Sequence, residues 1–490
     1  MKNQTQTRDF PQWLHRLAPM GPRSIRSILA KVPHATLAQI ETHLGPFLPA
    51  NFFPAPTRGP YSRQRIFTLS RTFWCFLWQM LQANTALREV VRQVQALFQL
   101  QQGCSVDADT GAYSQARSKL PLTLLEKALG ATALAAAQRA PNSGLLGGRP
   151  LKIIDASTVR TADTPANQRL FPQRQNQPPG CGFPILRVGV LFCASSGAIL
   201  ARRLGSLVKS EARLFYALFQ HLKKGDIVIG DRYYANFTIL ALLTGLGIDF
   251  LGRLADGNRR VDFRQAKPLG KNDGLFLWRK NSARAGWLSA KVRASLPLSL
   301  TVRIVRVQTH QKGFRSRTLT LVTTLLDPEI YPAREIAQAY LRRWRLEMCL
   351  DDIKTTLGLA HLKCLTPKMA NKELLMGLIA HNLLRCVMAQ AAQEHPVELD
   401  RISFKGSLDT LRQFSSAAAQ AKTRKQRREL WELLLKTIAL DLVPERPGRR
   451  EPRAVKFVSK YPKLTRPRHL QKDRLARNVR KSRSNSRRAN

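Results

Sequence analysis

Apolar positions along this 490-residue chain recur with two periods, and the changes of period mark its regions. From Asp9 to about Leu48 the spacing is helical but polar, and it runs into a proline-rich stretch, Pro46 to Pro60, that reads as a linker. Gln64 to Leu100 repeats at the helical period, and Asp107 to Leu120 leads through Pro121 into an alanine-rich helix, Leu122 to Ala140. Pro141 to Pro150, with Gly144, Gly147 and Gly148, reads as a second linker.

Beyond it the period shortens. Leu151 to Ile154 and Val188 to Ala194 are short apolar runs, and the second turns at Ser195-Ser196-Gly197 into Ala198 to Leu204 as a hairpin. Ser210 suits the cap of a helix from Glu211 to Lys223, followed by a strand at Asp226 to Gly230, a helix at Asn236 to Leu246 and a strand at Phe250 to Leu254. The order β-β-β-α-β-α-β predicts an α/β core over 150–260 and 328–395. Residues 261–327 are strand-like, with alternation at Leu300 to Val307 and Leu319 to Leu325, and are expected to form an inserted β-subdomain. A helix from Ala333 to Leu357, an apolar helix from Leu374 to Ala392 and a mixed helical region to about 443 complete the ordered chain. The units expected around the core are an N-terminal helical segment with its linker (1–60), a helical domain (61–145), a C-terminal helical region (396–443) and a tail (444–490).

The charge balance points to the partner. Lys and Arg number 80 against 32 Asp and Glu, a net charge of +48, far beyond what solubility requires, so a polyanionic partner is implied. With 44% hydrophobic residues the chain is a folded basic protein, and only the tail, rich in Arg, Lys, Ser and Asn, reads as disordered before it meets nucleic acid. The domain at 61–145 is then either a DNA-binding domain or a helical bundle with a solvated basic face. A membrane partner is not expected: no run of about 18 apolar residues occurs, and the nearest, Leu374 to Met388, contains His381, Asn382 and Arg385. Lys2, Arg8 and Asp9 precede no apolar run of a signal peptide, so the chain reads as a cytoplasmic protein. The seven cysteines form no C-x-x-C pair and suit neither a disulfide framework nor a zinc site.

Three acids carry the candidate chemistry. Asp155 ends Lys152-Ile-Ile-Asp and Asp231 ends Asp226-Ile-Val-Ile-Gly-Asp, which places both at the carboxyl ends of strands, where ligands collect in α/β sheets. An Asp in that position also serves as a turn former or helix cap. At about 100° per residue, Tyr340, Arg343, Glu347, Asp351 and Lys354 fall on one polar helical stripe beside an apolar face of Leu346, Cys349, Leu350 and Ile353. The same spacings suit a plain row of surface ion pairs.

The spacing Tyr340-x2-Arg343-x3-Glu347-x6-Lys354 resembles the Y-R-E-K signature of insertion-sequence transposases of the IS-four type, within the DDE group. Ile153-Ile-Asp155-Ala-Ser-Thr-Val, with Arg160-Thr-Ala-Asp-Thr-Pro-Ala-Asn167-Gln after it, is similar to that family's first acidic motif, and Gly230-Asp231-Arg232-Tyr233-Tyr234 to its second. Thr110-Gly-Ala-Tyr113-Ser-Gln-Ala-Arg117 and His381-Asn-Leu-Leu-Arg385 extend the likeness over roughly residues 60 to 410. Ala156 departs from the glycine common there, which implies a local backbone difference and no lost chemistry.

The resemblance implies a ribonuclease-H-like core carrying the first Asp on its first strand, the second after its fourth, and the Glu on a helix beyond an inserted β-subdomain. It implies metal-dependent cleavage at the element's ends and strand transfer into target DNA. Asp155, Asp231 and Glu347 would be catalytic and would ligate two Mg²⁺ ions, with Mn²⁺ an alternative and Asp155 the bridging residue. Arg343 and Lys354 would meet phosphates, and Tyr340 would bond a phosphate, stack on a displaced base or simply pack the helix. Arg232 suits a phosphate or a structural ion pair. Trp278 and Trp287 suit an extruded base or ordinary packing of the β-subdomain. Expected partners are double-stranded DNA, as transposon ends and target, and a second copy of the chain in the synaptic complex. A different ribonuclease-H-like nuclease or resolvase would need the acids without the Tyr-Arg-Glu-Lys face, and a binding-only protein would need neither.

Overall fold

Ten strands form one sheet, and the helices are arranged on its two faces. The computed structural model describes residues 36–444 apart from 55, 63–65, 83–84, 103–105, 141–144, 255–260, 281–284, 309–317, 419–420 and 422, together with residues 464, 466–467 and 470–471. The segment expected before residue 36 and most of the basic tail lie outside these residues.

The strands are β1 (Leu145–Leu146), β2 (Arg149–Arg160), β3 (Ile185–Cys193), β4 (Ile199–Ser206), β5 (Ile227–Gly230), β6 (Asp249–Arg253), β7 (Lys267–Gly270), β8 (Asp273–Arg279), β9 (Ser299–Gln308) and β10 (Thr318–Thr323). Their order is β4-β3-β2-β5-β6-β10-β9-β8-β7, with β1 paired to β2. β2, β3 and β4 are mutually antiparallel, whereas β5 runs parallel to β2 and β6 parallel to β5. The strands after residue 261 continue this sheet, because β10 pairs antiparallel with β6 and β9, β8 and β7 follow in turn. A buried ion pair holds this extension: the fully buried Arg303 donates to Asp273 through Nε (2.8 Å) and to the Tyr331 carbonyl through Nη1 (2.8 Å).

The chain forms its elements where local chemistry favours them. Ser210 and Asn236 accept from the backbone N–H groups of Arg213 and Ile239 and so start the helices Glu211–Tyr216 and Phe237–Thr244. These cover one face of the sheet, packing Phe215, Leu218, Ile239, Leu240 and Leu243 on Ile154, Leu191, Val228 and Phe250. Gly230 and Gly252 lie opposite one another in β5 and β6, and a Cβ at Gly252 would come within 2.5 Å of the Phe250 ring. The paired glycines give that ring its room at the carboxyl ends of the two strands.

The other face carries an all-helical layer. Its helices are α1 (Thr36–Leu44), α2 (Leu69–Leu81), α3 (Leu87–Gln102), α4 (Gly111–Lys119) and α5 (Leu122–Arg139) before the core, and α12 (Pro367–Glu394), α13 (Phe404–Ala418) and α14 (Arg424–Leu440) after it. The single periodic run from Gln64 to Leu100 thus becomes two helices, α2 and α3. The short helix Pro165–Leu170 is α6, Glu211–Tyr216 is α7, Phe237–Thr244 is α8 and Ala290–Ala294 is α9. α12 is long and apolar enough to cross a membrane, but 94% of its most apolar window is buried, against α2, α5, α13 and α14. Each large apolar side chain buried there contributes about 1.5–3 kcal/mol.

Asn382 and Arg385, inside α12, grip the β3–β4 hairpin. The Asn382 amide accepts from Ile199 N (2.7 Å) and donates to Ile199 O (2.9 Å), replacing a strand partner at the edge of β4. Arg385 donates through Nε to the Ser196 carbonyl (2.6 Å) in the β3–β4 turn. His381 stacks on Phe404, and burial holds its imidazole down at about 3. On α4, Arg117 donates to Gln79 (3.0 Å) while its guanidinium lies over Phe76. Cys75, Cys181, Cys349, Cys364 and Cys386 are buried free thiols.

Candidate active site

The parallel pairing of β2 with β5 stops at Ile153 and Ile229, and each strand places an acid two residues further on. Asp155 and Asp231 therefore stand level. In β6, Gly252 lies opposite Gly230, so Arg253 follows at the level of Asp231. One row across three adjacent parallel strands reads Asp155, Asp231, Arg253. Residues two apart in a strand share a face, so Asp155 shares with Ile153 the face covered by the helical layer.

Asp155 does not end its strand, as the sequence reading has it. β2 continues to Arg160 because Ala156 through Arg160 keep their pairing with β3 although β5 has stopped. The acid is thereby fixed by a ladder on one side and open on the other.

Two short helices bring the remaining groups. The continuous helix expected from Ala333 to Leu357 is broken: α10 spans Ala333–Leu341, Arg342 interrupts, and α11 spans Arg343–Asp351. A π-helical turn, Asp352–Thr356, then follows. Its wider turn displaces Lys354 from the position a strict 3.6-residue repeat would give it. Lys354 is half-buried there, and its carbonyl accepts from Ala360 N at 3.1 Å. α11 packs against β2, and the Glu347 carboxylate is near enough for its charge to act on Asp155.

The charges meet at Asp155. Burial raises its carboxyl to about 6; the Ala156 N–H and Arg343 pull it down, while Asp231 and Glu347 push it up. Asp155 Oδ1 accepts from Ala156 N (2.7 Å), and Asp231 Oδ1 from Tyr233 N (2.8 Å). Local backbone thus orients each carboxylate and leaves Oδ2 for a ligand. Glu347 is paired with Arg343 at 2.8 Å, its side chain 44% exposed. The Arg343 guanidinium lies 5.7 Å from the centre of the Tyr340 ring, which is only 2% exposed. Burial raises the Tyr340 hydroxyl, against the opposing pull of Arg343 and Arg253. The Tyr340 ring is thus packed within the fold, with the Arg343 guanidinium over it. Arg232 points to solvent beside Asp231.

Among the described residues, no group of three or more His, Cys, Asp or Glu side chains is drawn close enough to enclose an ion. The donor chemistry nevertheless suits one. Three carboxylates make the hard oxygen set that Mg²⁺ prefers. Only Glu347 is committed elsewhere, in an i,i+4 pair of a kind worth about 0.3–0.5 kcal/mol, small against coordination of a divalent ion.

Other acidic and aromatic residues of the core stay outside the row. Asp351 is exposed, and Asp352, raised by burial to about 6, interacts with Arg385. Trp278 and Trp287 are partly buried on the opposite face, with the Trp287 ring 5.7 Å from Tyr216. Glu211 lies in the first turn of α7, 3.8 Å from Arg187. The sequence reading missed Arg253, whose only signal was its place after Gly252, the counterpart of Asp231 after Gly230. It also gave no role to Tyr233, exposed beside Asp231.

Residues 146–383 match the family model described as a transposase DDE domain. The chain is 25% identical over 336 residues to the transposase InsG for insertion sequence element IS4 of Escherichia coli (strain K12), covering 68% of this chain and 72% of that protein. The piggyBac transposase synaptic complex with hairpin DNA aligns over 87% of both chains at 10% identity, with a TM-score of 0.37, too loose to assign a fold.

Proposed function

The chain carries a transposase DDE domain at residues 146–383 and is similar to an IS4 insertion-sequence transposase, and from that premise we propose that it cuts DNA at the ends of an insertion sequence and joins them to target DNA through Asp155, Asp231 and Glu347. The observation that carries this reading is the convergence of charge on Asp155, which feels Asp231, Glu347 and Arg343 although they come from distant parts of the sequence. The strand order, three antiparallel strands followed by two parallel ones, supports a ribonuclease-H-like core.

Asp155, Asp231 and Glu347 would hold two Mg²⁺ ions, for which Mn²⁺ is an expected substitute. Bound divalent ions supply an activated oxygen nucleophile, charge relief at phosphorus and a stabilised leaving oxygen. The protein's own groups orient the substrate. The ladder to β3 fixes Asp155, and the Tyr233 N–H fixes Asp231. Arg343, which pairs with Glu347 and lies over the Tyr340 ring, and Tyr340 itself would contact a phosphate near the cut. Arg232 and Lys354 add positive charge for the flanking backbone. The same site serves water in strand cleavage and the freed 3′-hydroxyl in transfer. The helical region 61–145 is assigned to DNA binding, and two copies are expected to pair on the two ends.

The test is cleavage and strand transfer on duplexes carrying the native element ends in Mg²⁺, comparing wild type with Glu347→Gln. We expect the variant to bind ends normally and to lose at least about a hundredfold in cleavage, the scale of removing one electrostatic contributor to the transition state. A wild type that binds the ends yet never cuts them would defeat the proposal.

A further inference from the structure

Asp231 opens a turn that runs to Asn236. At its entry Tyr233 N donates to Asp231 Oδ1 (2.8 Å) and Tyr234 N to Asp231 O (3.2 Å). At its exit Asn236 donates through Nδ2 to Tyr233 O (3.1 Å) while accepting from Ile239 N (3.1 Å) to cap α8. The backbone of Tyr233 is thus held from both sides.

Its side chain is not covered. Tyr233 is 46% exposed, whereas its neighbour Tyr234 is 1% exposed and wedged edge-on against Phe215. The Tyr233 ring meets that buried ring nearly at right angles, 5.4 Å away and 87° between planes, and close to half of it is left to solvent. Among the described residues, Tyr340 and Tyr234 also lie in the field of the acids, and both rings are buried. A solvent-exposed aromatic ring on a turn hydrogen-bonded at both ends, beside one of the acids, is suited to stack on a nucleobase.

We propose that Tyr233 is a stacking platform for the nucleobase adjoining the phosphate handled at Asp231. This rests on the transposase reading and deepens it. Asp231-Arg232-Tyr233 then meets one nucleotide in three ways: the acid faces the reacting phosphate, the exposed arginine the flanking phosphate, and the ring the base. The contact is indifferent to base identity, because every base has a π-face.

The test uses the full-length protein with duplexes carrying the native ends, 2-aminopurine at each position flanking the cut, and Ca²⁺ to hold the complex without cleavage. Wild type and Tyr233→Phe should give the same aminopurine fluorescence change at saturation, and Tyr233→Ala and Tyr233→Leu should lose it while melting at the wild-type temperature. In Mg²⁺, Tyr233→Ala should cut about 5- to 150-fold more slowly, the range of one lost base–aromatic stack, and an abasic site at the reporting position should remove the difference between Ala and wild type. An aminopurine response that survives Tyr233→Ala and Tyr233→Leu, or none in wild type, overturns the proposal. A Tyr233-dependent response in a protein that never cuts would sink the cleavage reading and leave this one standing.

Discussion

Asp155 carries an unfavourable charge in the metal-free protein. Its carboxyl, raised to about 6 from an ordinary 3.8, binds a proton more tightly in the folded than in the unfolded chain. The native state is therefore penalised as pH rises from about 4 through 6, and fully so above that. The penalty is about 3 kcal/mol, since each tenfold gain in proton affinity is worth roughly 1.4 kcal/mol. Asp155→Asn should accordingly raise the melting temperature of the metal-free protein at pH 7.5 and leave it little changed at pH 4. Mg²⁺ or Mn²⁺ should raise the melting temperature of wild type at pH 7.5 and not that of the variant. Thermal scans with and without the ion decide it, and a variant less stable than wild type at pH 7.5 would refute the account. Arg343 moderates this strain, because its positive charge reaches both Asp155 and Glu347.

At the scale of elements, α12 fastens the helical layer to the sheet through Asn382. Asn382→Leu would leave the N–H and C=O of Ile199 without the partners they now have, at about 1–3 kcal/mol for each buried group stranded. Hydrogen exchange should show the Ile199 amide losing protection, with a global loss of at least about 2 kcal/mol in a denaturant melt; an unchanged midpoint would contradict this role. The motif His381-Asn-Leu-Leu-Arg385 was legible as a family likeness, but its clamping role was not, because the partner turn lies some 180 residues earlier. Strands with their own apolar runs were legible, as was the cap Ser210, whereas Asn236, read as the first residue of its helix, is the cap. The reach of β2 past Asp155 was not, since Ala156, Ser157 and Thr158 have no apolar alternation and owe their extended form to β3. Nor were the break at Arg342 and the π turn, because reading the stripe presupposed a uniform helix. The row Asp155, Asp231, Arg253 depends on register between strands, which no single segment encodes.

Across the whole molecule the excess of positive charge sets the conditions under which the site meets its substrate. A net charge of +48 concentrates polyanions at the surface and makes association strongly dependent on ionic strength. If about six to ten phosphates are neutralised, affinity for the element's ends should fall by about 10³- to 10⁵-fold between roughly 50 and 200 mM salt. A binding titration across that range measures the slope. A change of less than about tenfold would mean that the charge serves some other partner.

α12 is also late in leaving the ribosome. Residues 367–394 are synthesised after every strand of the sheet and after α2 and α5, so the cleft that receives them already exists when they emerge. α13 and α14, which close the other flank, follow only at residues 404–440, a few seconds later at translation rates of about 5–20 residues per second. For that interval this long apolar helix is docked on one side and bare on the other. A message truncated shortly after codon 394 would hold it in that state permanently, offering chaperones and proteases an apolar surface that the finished protein never shows.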